Sequence, residues 1–226
     1  MIAGGWFNYI AAFAVFFLSH MVLVRPPVRP WLVHHLTQHG FTLAYSALSV
    51  VILWWLIKAA KTAPYVALWT YAPWQNWVPI LLMLPVCLIL SFGLGRPNPL
   101  SFGGWQNDRF DPHKPGLVKW MRHPILAALF LWSASHLVPN GDLAHVLLFG
   151  SFALFSILGM KLIDRRRQRE LGDRWQGIVA TIRSAPGLAP AQIPAFLARF
   201  IAGLGLYAVL AALHPWFAGV DPLAAL

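Results

Sequence analysis

Histidines inside apolar stretches are the residues of this chain best suited to chemistry. His20 and His136 lie in separate apolar runs, and Phe13, Phe16 and Phe17 share the run of His20. An ionisable side chain at such a position is costly unless it is paired or ligates something, so it indicates function. Neutral imidazole is a common iron ligand, and aromatic walls suit a porphyrin. The residues alone leave two interpretations open for each histidine: hydrogen bonding to the backbone of a neighbouring helix, or axial ligation of a haem.

The residue types limit which metal site the chain can form. A single cysteine, Cys87, and the lack of a C-x-x-C-H sequence exclude a covalently attached c-type haem. The two histidines lie on different segments without nearby carboxylates, which fits haem b better than a hydrolytic zinc site. Spacing alone does not decide between haem ligation and a structural role.

Arg122 and His123 form a second candidate group, directly before Pro124 at the mouth of another apolar run. Arginine at such a position usually anchors the end of a span, and it could also pair with a haem propionate. At 1.5 Å per residue, His123 and His136 are about 20 Å apart along a helix. Because two axial ligands approach one iron at similar depth, His123 is the reserve partner for His20.

The segments that carry these residues predict an integral membrane protein. The 226 residues are 58% hydrophobic and 11% charged, with a mean hydropathy of +0.62. The charged share is about half that of a soluble domain. Apolar runs of roughly 20 residues recur, and each can cross a hydrocarbon core of about 30 Å. Since no stretch between the runs could bury a soluble core of its own, we predict one membrane domain over residues 1–226.

Six transmembrane helices in an all-α bundle are predicted. All lysines and arginines except Lys58 and Lys61 lie in the loops after spans one, three and five or at the span edges. This distribution places those loops in the cytoplasm and the N- and C-termini outside. The predicted spans are Trp6–Val24, Gly40–Ile57, Trp77–Leu94, Pro124–Val138 with Leu117–Met121 leading in, Leu143–Ile163 and Ala195–Leu213.

The net charge of +10 is explained by these loops. Basic side chains beside spans contact anionic lipid headgroups, so membrane lipid is the expected partner. No nucleic-acid recognition module accompanies the charge, which excludes nucleic acid as a partner.

A short interfacial helix is predicted within Gln168–Pro190. His145, three residues after Asp142 in a polar turn, is expected to form a local ion pair or cap.

Ordered motifs over most of the chain resemble the NnrU family. They are R-H-P-x-L at Arg122–Leu126, L-W-x-x-x-H-L-x-x-N-G-D at Leu131–Asp142 and L-F-G…D-x-R-R-R-x-x-x-L-G-x-x-W at Leu148–Trp175. Ser19-His20 near the start matches as well. The resemblance implies a multi-pass protein of the bacterial inner (plasma) membrane that is linked to denitrification, in particular to nitric oxide and nitrite reductase activity.

The family is similar to the 15-cis-zeta-carotene isomerases, which are membrane enzymes that use haem b in a redox-dependent cis–trans isomerisation. A histidine of their first span and the histidine of a W-C-x-x-H segment are held to ligate iron, and these align with His20 and His136. The resemblance thus implies haem b with His20 and His136 as metal ligands, Arg122 and His123 around it, and an apolar, carotenoid-like molecule as a candidate ligand. Ser133 stands where the isomerases have cysteine, so haem binding can carry over without isomerase activity, and redox-dependent isomerase-like chemistry stays open.

Two other functions stay open. Arg-His-Pro followed by two spans, an acidic residue and L-G-x-x-W also resembles membrane methyltransferases that use S-adenosylmethionine. Their acidic pair is replaced here by Asp164 and Arg165. The second alternative is a non-catalytic assembly partner of nitric oxide reductase components, in which the histidines are structural.

Overall fold

A computed structural model describes residues 2–187 and 192–224, with side chains from residue 5 onward. Seven α-helices account for nearly all the regular structure of this part of the chain, and no strand occurs in it. Short 3-10 turns lie at Pro73–Asn76, Asn107–Arg109 and Gly116–Lys119. The helices are α1 Ile2–Val22, α2 Val28–Thr62, α3 Trp77–Gly93, α4 Pro124–Leu137, α5 Leu143–Leu171, α6 Arg174–Ser184 and α7 Ile193–Ala218.

The protein is an all-α, multi-pass membrane bundle, as predicted. Within the described residues, five helices are apolar and long enough to cross a bilayer, namely α1, α2, α3 together with the preceding turn Pro73–Asn76, α5 and α7. Their outward faces carry large exposed apolar side chains, such as Phe7, Val50, Leu81 and Ile201. A surface of this kind would be unfavourable in water and is suited to contact with lipid.

The fourth span begins at Pro124, as predicted, and ends at Leu137 rather than Val138, but it is short. Helix α4 has 14 residues, about 21 Å at 1.5 Å per residue, which is short of a hydrocarbon core of about 30 Å. The prediction that Leu117–Met121 leads into it is wrong, because Gly116–Lys119 forms a separate 3-10 turn. Pro124 starts the helix, and it disfavours helical geometry at His123, whose ψ is 64°.

The second span also has different bounds from those predicted. Helix α2 begins at Val28 rather than Gly40 and continues to Thr62. Its path breaks at Thr37, whose φ of 63° lies in the left-handed region. The segment before the break is therefore helical, where the sequence suggested a loop.

Both ends of the described chain lie on one side of the bundle. Lys61 Nζ donates to the Ala218 carbonyl, which joins the ends of α2 and α7. Trp55 in the last turns of α2 donates to Asn8 near the start of α1. We call this the terminal side and the opposite one the loop side. The charge distribution predicts that the loop side faces the cytoplasm.

Two groups of buried residues hold the structure together. The larger one joins α1, α2 and α5. The smaller one lies on the loop side, where three segments outside the spans meet. The larger cluster comprises Tyr9, Ala12, Phe16, Ile52, Leu56, Ala59, Ala60, Ala144, Leu148, Phe149 and Phe152. The smaller comprises Leu100, Val118, Trp175 and Ile182, the last two on the predicted interfacial helix, α6.

Candidate functional site

His20 is held by its own helix. Its Nδ1 lies 2.8 Å from the carbonyl oxygen of Phe16, one turn earlier. The hydroxyl of Ser19 donates to the same carbonyl at 2.8 Å. A carbonyl oxygen only accepts hydrogen bonds, so Nδ1 carries the imidazole proton. The Nε2 atom of His20 is consequently left with its lone pair.

The same arrangement recurs at His136 on α4. Its Nδ1 lies 2.8 Å from the carbonyl oxygen of Trp132, and the hydroxyl of Ser135 donates to that carbonyl at 2.9 Å. In both cases an aromatic residue, two intervening residues, a serine and a histidine form the motif. Within the described residues, neither Nε2 has a hydrogen-bond partner. Two imidazoles are thus fixed in the tautomer that can ligate a metal through Nε2.

The aromatic residues of the two motifs meet at one ring. Phe16 and Trp132 each pack edge-on against Phe152 of α5, with ring centroids 5.1 and 5.8 Å away. His20 stacks on Phe16 at 4.2 Å, and His136 lies 5.5 Å from Trp132. A continuous series of aromatic rings therefore links the two histidines through the bundle core.

The two imidazoles nevertheless lie at different levels. Helix α1 runs parallel to α5, because Tyr9 donates to the Ala144 carbonyl at the start of α5 and Phe16 meets Phe152 further along. His20 is one turn beyond Phe16, toward the loop side. His136 lies toward the terminal side instead, where its ring is 5.4 Å from the ring of Phe149.

Measured along α5, the levels of His20 and His136 differ by about two helical turns, which is roughly 11 Å. The structure does not bring His20 and His136 to a common point. Ligation of one iron by both would require α1 to shift along α5, so the paired ligation stays a prediction.

A third histidine lies beside His136. The ring of His214, in the last turns of α7, is 6.4 Å from that of His136, and its Nδ1 is 2.6 Å from the Val220 carbonyl. The sequence analysis did not single out His214. His214 could have been recognised from its position before Pro215, near the end of the last span. An ionisable residue at such a position faces protein more often than lipid.

The turn between α4 and α5 closes the terminal side of this region. Asp142 accepts from the backbone N–H of His145 at 3.2 Å and lies 2.7 Å from its Nδ1, which confirms the predicted cap and ion pair. Asn140 donates to the His136 carbonyl at 2.7 Å. The Gly141 carbonyl accepts from the backbone N–H of Trp69 at 3.1 Å. The segment after α2 is therefore attached to the turn beside His136, a pairing that the sequence analysis missed.

His123 occupies a separate site on the loop side. Its Nδ1 is 2.9 Å from the Ser101 hydroxyl and its Nε2 is 3.0 Å from Asp164 Oδ1. The side chain is 5% exposed, and burial lowers its pKa against the opposing effect of Asp164. A neutral ring that donates from Nε2 and accepts at Nδ1 satisfies both contacts. With both nitrogens engaged, His123 offers no free ligand atom in this structure.

Arg122 forms a bidentate pair with the same carboxylate. Its Nη2 lies 2.6 Å from Asp164 Oδ2 and its Nε 3.2 Å from Oδ1, and its guanidinium lies 5.9 Å from the ring of Trp175. The backbone carbonyl of Arg122 accepts from Asn98 Nδ2 at 2.9 Å. In this structure Arg122 is therefore a structural partner of Asp164, and its pairing with a haem propionate stays a prediction.

The remaining chemistry of the described residues is limited. Among them, no group of three or more histidine, cysteine, aspartate or glutamate side chains is placed to hold a metal ion. A haem needs only one or two protein ligands. Ser133, fully buried, donates its hydroxyl to the Leu129 carbonyl of its own helix.

The model of the family described as NnrU protein matches residues 8–222, nearly the whole chain. No curated protein and no solved structure matches the chain.

Proposed function

The chain belongs to the NnrU family, and on that premise we propose that it is a haem b-binding protein of the bacterial inner membrane that serves nitric oxide or nitrite reduction. His20 and His136 are the proposed ligands, with His136 as the principal one. Bound haem b would supply an iron centre that can exchange one electron.

The observation that carries the proposal is the repeated serine–histidine arrangement. Metal-ligating histidines usually donate the other ring N–H to a carbonyl or carboxylate, which fixes the tautomer and the ring orientation. His20 and His136 both do so, toward Phe16 and Trp132. Among the described residues neither Nε2 has a hydrogen-bond partner, so each keeps a lone pair that could ligate iron.

His136 is the better placed of the two. Aromatic rings from its own helix and from α5 stand beside it, namely Trp132 and Phe149. Its carbonyl is held by Asn140, which fixes the end of α4. These contacts leave the imidazole little freedom to reorient, as a ligand requires.

The proposal does not include isomerase activity. In the isomerases a cysteine occupies the position of Ser133, and a serine hydroxyl does not replace a thiolate as an iron ligand. The methyltransferase alternative is disfavoured because Asp164, the carboxylate that would hold the cofactor, is paired with Arg122 and His123.

Absorption spectra of the full-length protein, oxidised and dithionite-reduced, test the proposal after expression with added haem precursor. We expect a Soret band that is lost in His136→Ala and altered in His20→Ala. His35→Ala is the matched control, because the Nδ1 of His35 lies 2.8 Å from the Trp31 carbonyl in the same way, on an exposed part of α2. Its spectrum should equal that of the unmodified protein. A colourless protein would overturn haem binding and favour the assembly-partner alternative.

A further inference from the structure

A cavity of about 230 Å³ lies on the loop side, away from the histidines of the bundle core. The ends of α3 and α4 form one wall through Phe92, Gly93 and Pro124. The loop between these helices forms the rest. Its volume is below the range of about 300–1,000 Å³ typical of drug-sized ligands, so it suits a small group.

The charge of this cavity is strongly positive. Arg96, Arg109 and Lys114 line it, and Asp111 is the only carboxylate that does so in the part of the chain that the structure describes. One oxygen of Asp111 accepts from the His113 backbone at 2.9 Å. Among the described residues, none of the three basic side chains has an ion-pair partner. The cavity therefore has an unbalanced positive charge that an anion would neutralise.

The loop that carries these charges is already fixed. Asn98, which is buried, donates from its side chain to the Arg122 carbonyl, and its backbone N–H donates to Asn107 Oδ1 at 2.8 Å. Further along, the Trp105 N–H donates to the carbonyl of Arg96 at 3.1 Å. Holding like charges together before a ligand arrives reduces the cost of binding an anion.

From these observations we propose that the cavity binds a phosphate group. Guanidinium and ammonium groups together form the donor set that recognises phosphate oxygens. The group has two sources at this position, a soluble phosphorylated molecule or the headgroup of an anionic lipid, because Gly93 and Pro124 mark the ends of two membrane helices. The charge distribution predicts that this side faces the cytoplasm, where anionic lipids also concentrate.

Thermal unfolding of the full-length protein tests the proposal in two arms. In neutral detergent micelles, inorganic phosphate is titrated at constant ionic strength against chloride. In nanodiscs, phosphatidylcholine alone is compared with phosphatidylcholine containing phosphatidic acid. Binding to the native state raises the apparent unfolding temperature.

The test variant is Arg109→Gln/Lys114→Gln. The matched control is Arg165→Gln/Arg169→Gln, which removes the same charge from exposed positions on α5. Neither arginine lines the cavity, and neither has an ion-pair partner within the described residues. We expect the test variant to lose affinity about tenfold or more, as the removal of two charge-assisted contacts implies, and the control to retain it.

Each outcome decides the proposal. Stabilisation by phosphate in micelles that is lost only in the test variant supports a soluble ligand. Stabilisation only by phosphatidic acid, again lost only in the test variant, supports a lipid headgroup. Equal loss in both double variants, or no stabilisation in either arm, overturns the site.

Discussion

Arg122 and Asp164, 42 residues apart in sequence, form a two-contact ion pair in which Nη2 lies 2.6 Å from Oδ2 and Nε 3.2 Å from Oδ1. The pair joins the entrance of α4 to the end of the membrane part of α5. His123 binds the same carboxylate at 3.0 Å. One aspartate therefore fixes two consecutive residues at the start of the short helix, and most predictions about the loop side depend on it.

Replacing Asp164 with asparagine should destabilise the protein by about 2 kcal/mol. The change leaves the Arg122 charge without its partner and replaces the charged acceptor of His123 with a neutral amide. Breaking a buried pair costs about 3–5 kcal/mol, and the partial exposure of Arg122 (37%) and Asp164 (20%) reduces that figure. Thermal unfolding in micelles measures the change.

Asp173→Asn is the control for this variant. Asp173 is exposed and close to the same surface, and no ion pair involves it within the described residues. Its replacement should leave the unfolding temperature within error. If the two variants behave alike, the ion pair does not stabilise the fold.

The pKa of His123 predicts a loss of stability in mild acid. Burial lowers the pKa in the folded protein below the usual value of about 6.5. The unfolded chain therefore binds the proton more readily, so the contribution of His123 to stability is complete above pH 6.5 and declines as the pH falls below it. Unfolding temperatures between pH 5 and 8 should show a steeper decline for the unmodified protein than for His123→Gln.

His113 supplies the comparison for the pH series, because it is an exposed histidine on the same loop. His113→Gln should keep the pH dependence of the unmodified protein. Parallel pH profiles for His123→Gln and the unmodified protein would show that His123 does not cause the acid sensitivity.

Local interactions were predictable from sequence and distant ones were not. Asp142 and His145 are three residues apart on the first turn of a helix, so their pairing follows from helix geometry. The Arg122–Asp164 pair and the attachment of Trp69 to Gly141 depend on how helices and loops pack, which spacing does not reveal. The sequence consequently suggested a lipid-facing anchor for Arg122 where the structure has an ion pair.

The contrast between local and distant interactions also holds for the fold and for the histidines. Apolar runs predicted the membrane helices well, and helix rise predicted that His20 and His136 lie at different depths. The break at Thr37 was not predictable, because neither glycine nor proline marks it. Convergence of Phe16 and Trp132 on Phe152 required the packing of three helices to be known.

Gly141→Ala should disturb the terminal side of the site. A Cβ atom at this position would lie 2.4 Å from the Trp69 carbonyl oxygen, well inside contact distance. The turn or the segment after α2 must move, at a cost of about 1–3 kcal/mol. Since Asn140 holds the carbonyl of His136, we also expect the haem spectrum to change. Unfolding temperature and absorption spectra measure the two effects.

Gly177→Ala is the corresponding control. Gly177 lies in α6, and nothing would stand within 4 Å of an added Cβ. Alanine should stabilise that helix by up to about 1 kcal/mol. A Gly141→Ala protein as stable as this control would contradict the close packing of Trp69 on the turn.

Phe152→Ala should weaken the core that supports both histidines. Phe152 is 5% exposed and contacts the rings of Phe16 and Trp132, the residues whose carbonyls hold His20 and His136. Removing a buried phenyl ring leaves a cavity and costs about 3–5 kcal/mol.

Phe155→Ala removes an equal ring from an exposed position of the same helix and should cost much less. If haem binding is measured in both, Phe152→Ala should reduce haem content while Phe155→Ala retains it, because only the first change frees the two aromatic residues that position the ligands. Equal haem content in the two variants would show that the aromatic series does not support haem binding.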